Sequence, residues 1–204
     1  LAAGMSQSGV IGTFGGINIP PVSIFMEGYR NGALYYDGVN GTETTVLGWD
    51  GADGLFTGNF DSLEDGRAFG QQLLDEGADV ILPVAGPVGL GTCAAINEFN
   101  AAGGSAMLVG VDTDQFFSAP ECSEILLTSI LKNMQNSTYD TINTVLVLGS
   151  VGNQYLGTLA NGGVGLAPFH NFEDAVSADL AAALVALEAD IIAGNVGVGP
   201  PAEG

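Results

Sequence analysis

Positive charge is almost missing from this chain. Arg30, Arg67 and Lys132 stand against 23 acidic residues among 204, for a formal charge of −20. A field of that sign repels phosphate backbones and anionic headgroups, which excludes nucleic acid as a direct partner. It also suits a salty medium, where a screened acidic surface keeps a protein dispersed. Histidine is represented by His170 alone. A Ser-His-Asp triad would need that single imidazole, its apolar neighbours Phe169 and Phe172 suit a structural histidine, and no Gly-x-Ser-x-Gly motif accompanies it. Only two cysteines occur, Cys93 and Cys122, without metal-ligand spacing, so neither a metal site nor a cofactor is expected. In an exported protein the pair can close a disulfide, and in a cytosolic one the two are small core fillers. No apolar run is long enough to span a bilayer, and no signal peptide is visible. The opening Leu1-Ala2-Ala3-Gly4-Met5 reads as the tail of a helix already under way, so an N-terminal portion is expected to be missing.

What is present is a hydrophobic content of 47%, enough for one domain or two small lobes with a buried core. Apolar runs and helical periodicity alternate along the chain. Strands are expected at 10–14, 44–47, 79–84, 106–111, 124–129 and around 155–159. The Pro20-Pro21 pair opens a helix whose Val22, Phe25, Met26, Tyr29 and Ala33 share a face. Ser62 followed by Asp65 marks a second start, with Phe69, Leu73 and Leu74 facing inward and Gly77 as the stop. Further helices are expected through Phe99, over about 131–146, and after Ser177, where Leu180, Leu184, Leu187, Ile191 and Ile192 share a stripe before Gly194. The stretch 48–61, rich in Gly and Asp, reads as a surface loop, with Trp49 and Phe56 packing locally rather than forming a lid. Strands separated by helices imply an α/β fold, a parallel sheet flanked by helices. Ligands of such sheets sit beyond the carboxyl ends of the strands, so the loops after Phe14, Val84, Val111 and Ser129 are the ones to watch.

Four stretches carry candidate chemistry. Val84-Ala85-Gly86-Pro87-Val88-Gly89-Leu90-Gly91 follows a buried strand; it is either a tight strand-to-helix turn or a backbone wall that a ligand approaches. It is not a phosphate loop, because no Gly-Lys-Ser/Thr follows. Gly110-Val111-Asp112-Thr113-Asp114-Gln115 ends a strand in a carboxylate, which can accept two hydrogen bonds from adjacent hydroxyls, as in a sugar diol, or can belong to an ordinary Asp-rich turn. Lys132 sits at a strand-to-helix junction, where it bonds a ligand oxygen, neutralises Asp112 or Asp114, or is simply solvated. The glycines of Asn161-Gly162-Gly163-Val164-Gly165 suit a hinge or a backbone-lined wall. Carboxylates are abundant, but abundance is not a paired acid and base, so a binder is expected rather than an enzyme.

Five blocks, in order and spanning nearly the whole chain, resemble the basic-membrane-lipoprotein (Bmp) family, purine-nucleoside-binding receptors of ABC transporters. They are Gly12-Thr13-Phe14-Gly15-Gly16-Ile17-Asn18-Ile19-Pro20, Gly77-Ala78-Asp79-Val80-Ile81-Leu82-Pro83-Val84-Ala85-Gly86, the Gly110 to Gln115 stretch, Leu127-Thr128-Ser129-Ile130-Leu131-Lys132, and Asn161-Gly162-Gly163-Val164-Gly165-Leu166-Ala167-Pro168-Phe169-His170-Asn171-Phe172. The resemblance implies a periplasmic-binding-protein type I fold of two lobes, with the first lobe largely missing from this chain. Residues 9–130 would build the second lobe, 131–172 would return to the first, and 173–204 would supply a helix and strand packing on the second. It further implies that Asp112 holds ribose hydroxyls, that Val84, Ala85 and Gly86 wall the pocket, that Lys132 lies near the sugar, and that Gly162 and Gly163 belong to the site. Asn18 stands where the family often has Asp, which keeps a hydrogen-bonding group but not a charge. The partners implied are a nucleoside and the membrane subunits of an ABC transporter. The location implied is extracytoplasmic, with peripheral membrane association through a lipid anchor outside this chain. A free sugar as ligand, or a sensory or regulatory role for the same fold, stands as the alternative.

Overall fold

The computed structural model describes residues 1–149 and 155–199. Its centre is a six-stranded sheet built from β1 (Val10–Gly15), β2 (Thr45–Leu47), β3 (Val80–Val84), β4 (Met107–Asp112), β5 (Leu126–Lys132) and β6 (Val164–Leu166). The spatial order is β2-β1-β3-β4-β5-β6, and every pairing is parallel except β5 with β6. The parallel strands are joined by helices: α1 (Ala2–Met5) leads into β1, then come α2 (Pro20–Asn40), α3 (Leu63–Asp75), α4 (Gly89–Ala101) and the short α5 (Gln115–Ser118). The helices α6 (Met134–Leu148) and α7 (Ala178–Ala193) complete the set.

Both faces of the sheet are covered, as the apolar composition of its strands demands. In β3 the side chains alternate: Ile81 joins the cluster under α3 and α4, while Val80, Leu82 and Val84 join the cluster under α2. On the first face, α3 starts where Ser62 Oγ accepts the Asp65 N–H at 3.1 Å. The contact between α3 and α4 is close enough to require glycine. A Cβ on Gly66 would lie 1.8 Å from Val88 O, and one on Gly91 would lie 1.9 Å from Leu63 O. Cys93 of α4 and Cys122, on the turn before β5, form a disulfide with a Cα–Cα distance of 5.8 Å. On the second face, α2 begins with its two prolines and buries Val22, Met26 and Ala33. Beside it an apolar cavity of about 300 Å³ is lined by Phe25, Gly28, Tyr29, Gly32, Val109 and Ile130, among others.

Several expectations need correction. The strand expected at 124–129 is shifted: β5 starts at Leu126 and extends through Lys132, so the following helix begins at Met134 and not at 131. No strand occupies 155–159. The sixth strand is β6, whose Gly165 pairs with Leu131 and whose Val164 pairs with Lys132. Antiparallel pairing, not local preference, makes a strand of that glycine-rich stretch. The strand expected after the final helix is not found at 195–199, and 200–204 lie outside the described residues. The apolar stripe of α7 is only half-buried, and its Ile192 is exposed. Helix α6 buries nothing: Met134, Tyr139, Ile142, Leu146, Val147 and Leu148 are all exposed.

Candidate functional site at the carboxyl rim of the sheet

Parallel pairing places the ends of β1, β3, β4 and β5 along one rim. Gly15 pairs with Val84, and Asp112 pairs with Leu131, immediately before Lys132. The candidate loops therefore open on the same side of the molecule, where open α/β sheets hold their ligands.

Asp112 is the unusual residue of this rim. Its φ is +75°, a left-handed value that L residues rarely adopt. The Thr113 N–H donates to Val111 O at 3.0 Å across it, closing a three-residue γ-turn of the strained hand. Such a conformation costs about 1–3 kcal/mol and persists where the surroundings hold it. The turn aims the carboxylate at the neighbouring strand, where Oδ1 meets Lys132 Nζ at 2.9 Å. Oδ1 is shielded from solvent yet takes no well-angled hydrogen bond, although the side chain as a whole is 46% exposed. With Oδ1 faced by the ammonium, the exposed remainder of the carboxylate is the part a hydroxyl donor can reach. The ion pair itself is half-exposed and worth under about 1 kcal/mol, so Lys132 can turn toward a ligand oxygen at little expense. Nζ also lies 4.6 Å from the centroid of the Phe25 ring.

The other expected residues divide. Gly86 is half-buried at φ +55°, where glycine is the natural occupant, and opens the turn into α4 on the rim. Val84 and Ala85 are buried at 3% and 0% exposure, and the Val84 carbonyl accepts the Gly16 N–H at 3.0 Å. Their side chains point into the core beneath the rim, leaving the backbone of the turn to face the rim. Asn18 is exposed on the loop after β1. Gly162 and Gly163 are brought beside Lys132, because Asn133 N–H donates to Gly163 O at 2.9 Å and Asn133 Nδ2 to Gly162 O at 2.5 Å. Trp49 is buried, its Nε1 donating to Glu27 Oε2 at 2.6 Å and its ring meeting Phe56 edge-on, so this aromatic pair packs locally.

Two further residues join the rim without a signal in the sequence. The helical spacing of Phe25 suits a core position of α2, and nothing in it points to Lys132. The apolar flanks of His170 suit a structural role, yet its Nε2 lies 2.9 Å from Asp114 Oδ2, in the same turn as Asp112. Among the described residues, no group of three His, Cys, Asp or Glu is arranged to hold a metal ion. None of the described helices is long and apolar enough to cross a membrane.

Comparison with known proteins agrees with this fold. A crystal structure of an ABC transporter solute-binding protein from Aeropyrum pernix superposes with a TM-score of 0.80 at 25% identity, covering 95% of this chain and 58% of that one. An uncharacterized lipoprotein of Pyrococcus furiosus is 33% identical over 81% of this chain and 40% of its own length. Basic membrane protein B of Borrelia garinii is 32% identical over 68% of this chain and 36% of its own length. The chain thus spans well under half the length of these curated relatives. Residues 1–198 match the family described as Bmp, ABC transporter substrate-binding protein PnrA-like. With almost the whole chain matched, this protein belongs to the Bmp family of PnrA-like ABC transporter substrate-binding proteins.

Proposed function

We propose that this chain forms the second lobe of an extracytoplasmic receptor that delivers a nucleoside, of the purine class, to an ABC importer. The observation that carries the reading is Asp112. It is a carboxylate at the end of a parallel strand, held in a strained turn, with Oδ1 paired to Lys132 at 2.9 Å while the side chain as a whole stays 46% exposed. That arrangement suits a vicinal diol: two hydroxyls donate to the carboxylate while the ammonium donates to a sugar oxygen. Gly86, Asn18, Gly162 and Gly163 complete the rim around the sugar. Residues 9–130 act as one lobe, and 131–172 cross to a first lobe that supplies the remaining contacts. The apolar exposure of Met134, Ile142 and Leu146 on α6 supports such a crossing. Ligand touching both lobes only when they are closed shifts that equilibrium and presents a surface to the membrane subunits. The protein is a binder rather than an enzyme. The lipoprotein names of its relatives support attachment at the cell surface or in the periplasm through a lipid outside this chain.

Titration calorimetry on the full-length protein tests the reading. Each charge-assisted bond to Asp112 contributes about 1.5–3 kcal/mol, so Asp112→Ala weakens nucleoside binding by at least about tenfold, or about 1.4 kcal/mol. Unchanged affinity overturns the assignment. A free sugar is the second reading, because Asp112 and Lys132 address hydroxyls and not a base. Ribose bound as tightly as the nucleoside decides for it.

A further inference from the structure

Asp112 and His170 are the two non-glycine residues with positive φ among the described residues, at +75° and +46°. They are far apart in sequence and meet through one side chain, Asp114. The His170 Nε2 lies 2.9 Å from Asp114 Oδ2 and 3.1 Å from Oδ1. The imidazole stacks on Phe116 with centroids 4.0 Å apart and planes 11° from parallel, and Phe117 meets it edge-on at 5.5 Å. The pair is sheltered, with side-chain exposures of 13% for His170 and 21% for Asp114. Two strained backbones joined by one sheltered contact point to a shared purpose, since such conformations survive where neighbours over-determine them.

We propose that His170 is a positioning residue for the ligand-gripping carboxylate: by holding Asp114 and Phe116 it fixes the far end of the turn that aims Asp112. The near end of that turn is anchored by β4 and β5. Val111 O accepts both the Thr113 N–H at 3.0 Å and Gln115 Nε2 at 3.2 Å, and the Gln115 N–H donates to Ser129 Oγ at 3.0 Å. Those Gln115 bonds also hold the far end, where Asp114 adds a cap on α5 by accepting the Phe116 N–H at 3.2 Å. His170 reaches it from the strap after β6, which is stitched to β5 by Ala167 N–H to Ser129 O at 2.9 Å and Thr128 Oγ1 to Ala167 O at 2.8 Å. The strap thereby connects the segment leaving the crossover to the grip on the ligand. Without the imidazole, Asp114 keeps its cap on α5 but loses its tie to the strap, so the turn that carries Asp112 is held less firmly.

This inference rests on the nucleoside reading, and the experiment separates the two. The full-length protein is titrated with a ribonucleoside and with its 2′,3′-dideoxy analogue. The ratio of the two affinities reads the diol grip alone and cancels any general loss of folded protein. The unaltered protein is expected to favour the ribonucleoside by at least about tenfold. In His170→Ala that preference shrinks to about threefold or less. His170→Gln, which returns an N–H donor to Asp114, restores most of it. If the unaltered protein shows no preference, or binds neither compound, the nucleoside reading fails and the inference falls with it. If the preference is present and survives in His170→Ala, only the inference is overturned. Should His170→Ala fail to fold, the comparison moves to His170→Gln, which keeps the donor, and Phe116→Leu, which removes the stacking: full preference in both overturns the inference, and a reduced preference in Phe116→Leu supports it.

Discussion

At one end of the sheet Asp79, just before β3, is 8% exposed and accepts hydrogen bonds from Ser6 Oγ at 2.6 Å, Gln7 N–H at 2.6 Å and Ser8 N–H at 2.8 Å. At the other end Asp112, closing β4, is half-exposed, sits at φ +75° and has a shielded oxygen with no well-angled hydrogen-bond donor. The two residues have the same chemistry and opposite surroundings. One is saturated by its own chain and ties the entry of β1 to the sheet. The other is held in a costly conformation, has one lysine as its partner and stays half-exposed. Saturation suits a carboxylate that serves stability, and strain with exposure suits the ligand role proposed for Asp112.

The sharpest way to break this contrast is to remove each acid in turn from the full-length protein. Asp79→Ala removes the acceptor of three donors, two of them on the exposed residues Gln7 and Ser8, and is expected to destabilise by about 2 kcal/mol, lowering the unfolding midpoint by roughly 4–8 °C. Its nucleoside affinity should stay within about twofold of the unaltered protein's. An affinity loss as large as that of Asp112→Ala would show that the two ends are not separable. Asp112→Gly is expected to act in the opposite sense. Glycine adopts φ +75° freely, so the folded state gains about 1 kcal/mol even after losing a weak ion pair. The midpoint then rises by roughly 2–4 °C while binding is lost, the usual exchange of function for stability. A midpoint that falls would mean that Asp112 stabilises the fold after all.

Much of the scaffold is legible in the sequence. The runs that form β1, β3 and β4 are continuous and apolar, bounded by turn residues, and the structure places them within a residue or so of expectation. The end of β5 is not legible, because Ile130 and Leu131 also continue the apolar spacing of the helix that follows. Pairing with β4 on one side and β6 on the other keeps them extended, and the second contact joins segments separated by all of α6. Likewise Val164-Gly165-Leu166 has a poor strand preference and becomes one by docking on its neighbour. Asp112 is visible as a carboxylate closing an apolar run, although the sequence alone does not separate a ligand grip from an Asp-rich turn. Val84 and Ala85 escape such reasoning, since a strand-to-turn junction does not reveal which side chains point inward. The roles of Phe25 and His170 are hidden for a common reason. Each is defined by a partner from a distant segment, Lys132 for one and Asp114 for the other.

The smallest expected effect concerns salt, and it separates Asp112 from the acidic surface around it. A charge of −20 places every ligand in a repulsive field for anions. A neutral nucleoside carries no charge for that field to act on and releases no bound ions when it docks. The local charges proposed to meet it, Asp112 and Lys132, are 2.9 Å apart, far closer than the Debye length of roughly 10 Å at 0.1 M salt and no farther than that of roughly 3 Å at 1 M. Their mutual field is therefore little altered by added ions. Raising sodium chloride from about 0.1 to about 1 M is expected to change nucleoside affinity by less than about twofold, or about 0.4 kcal/mol. Chloride is the suitable anion, since sulfate also strengthens burial of apolar surface. A phosphorylated ligand would respond differently, gaining affinity as the repulsion between its charge and the acidic surface is screened. Calorimetric titration of both ligands at the two salt concentrations would distinguish the cases, and a strong salt dependence for the neutral compound would mean that the acidic surface, and not the Asp112 turn alone, takes part in recognition.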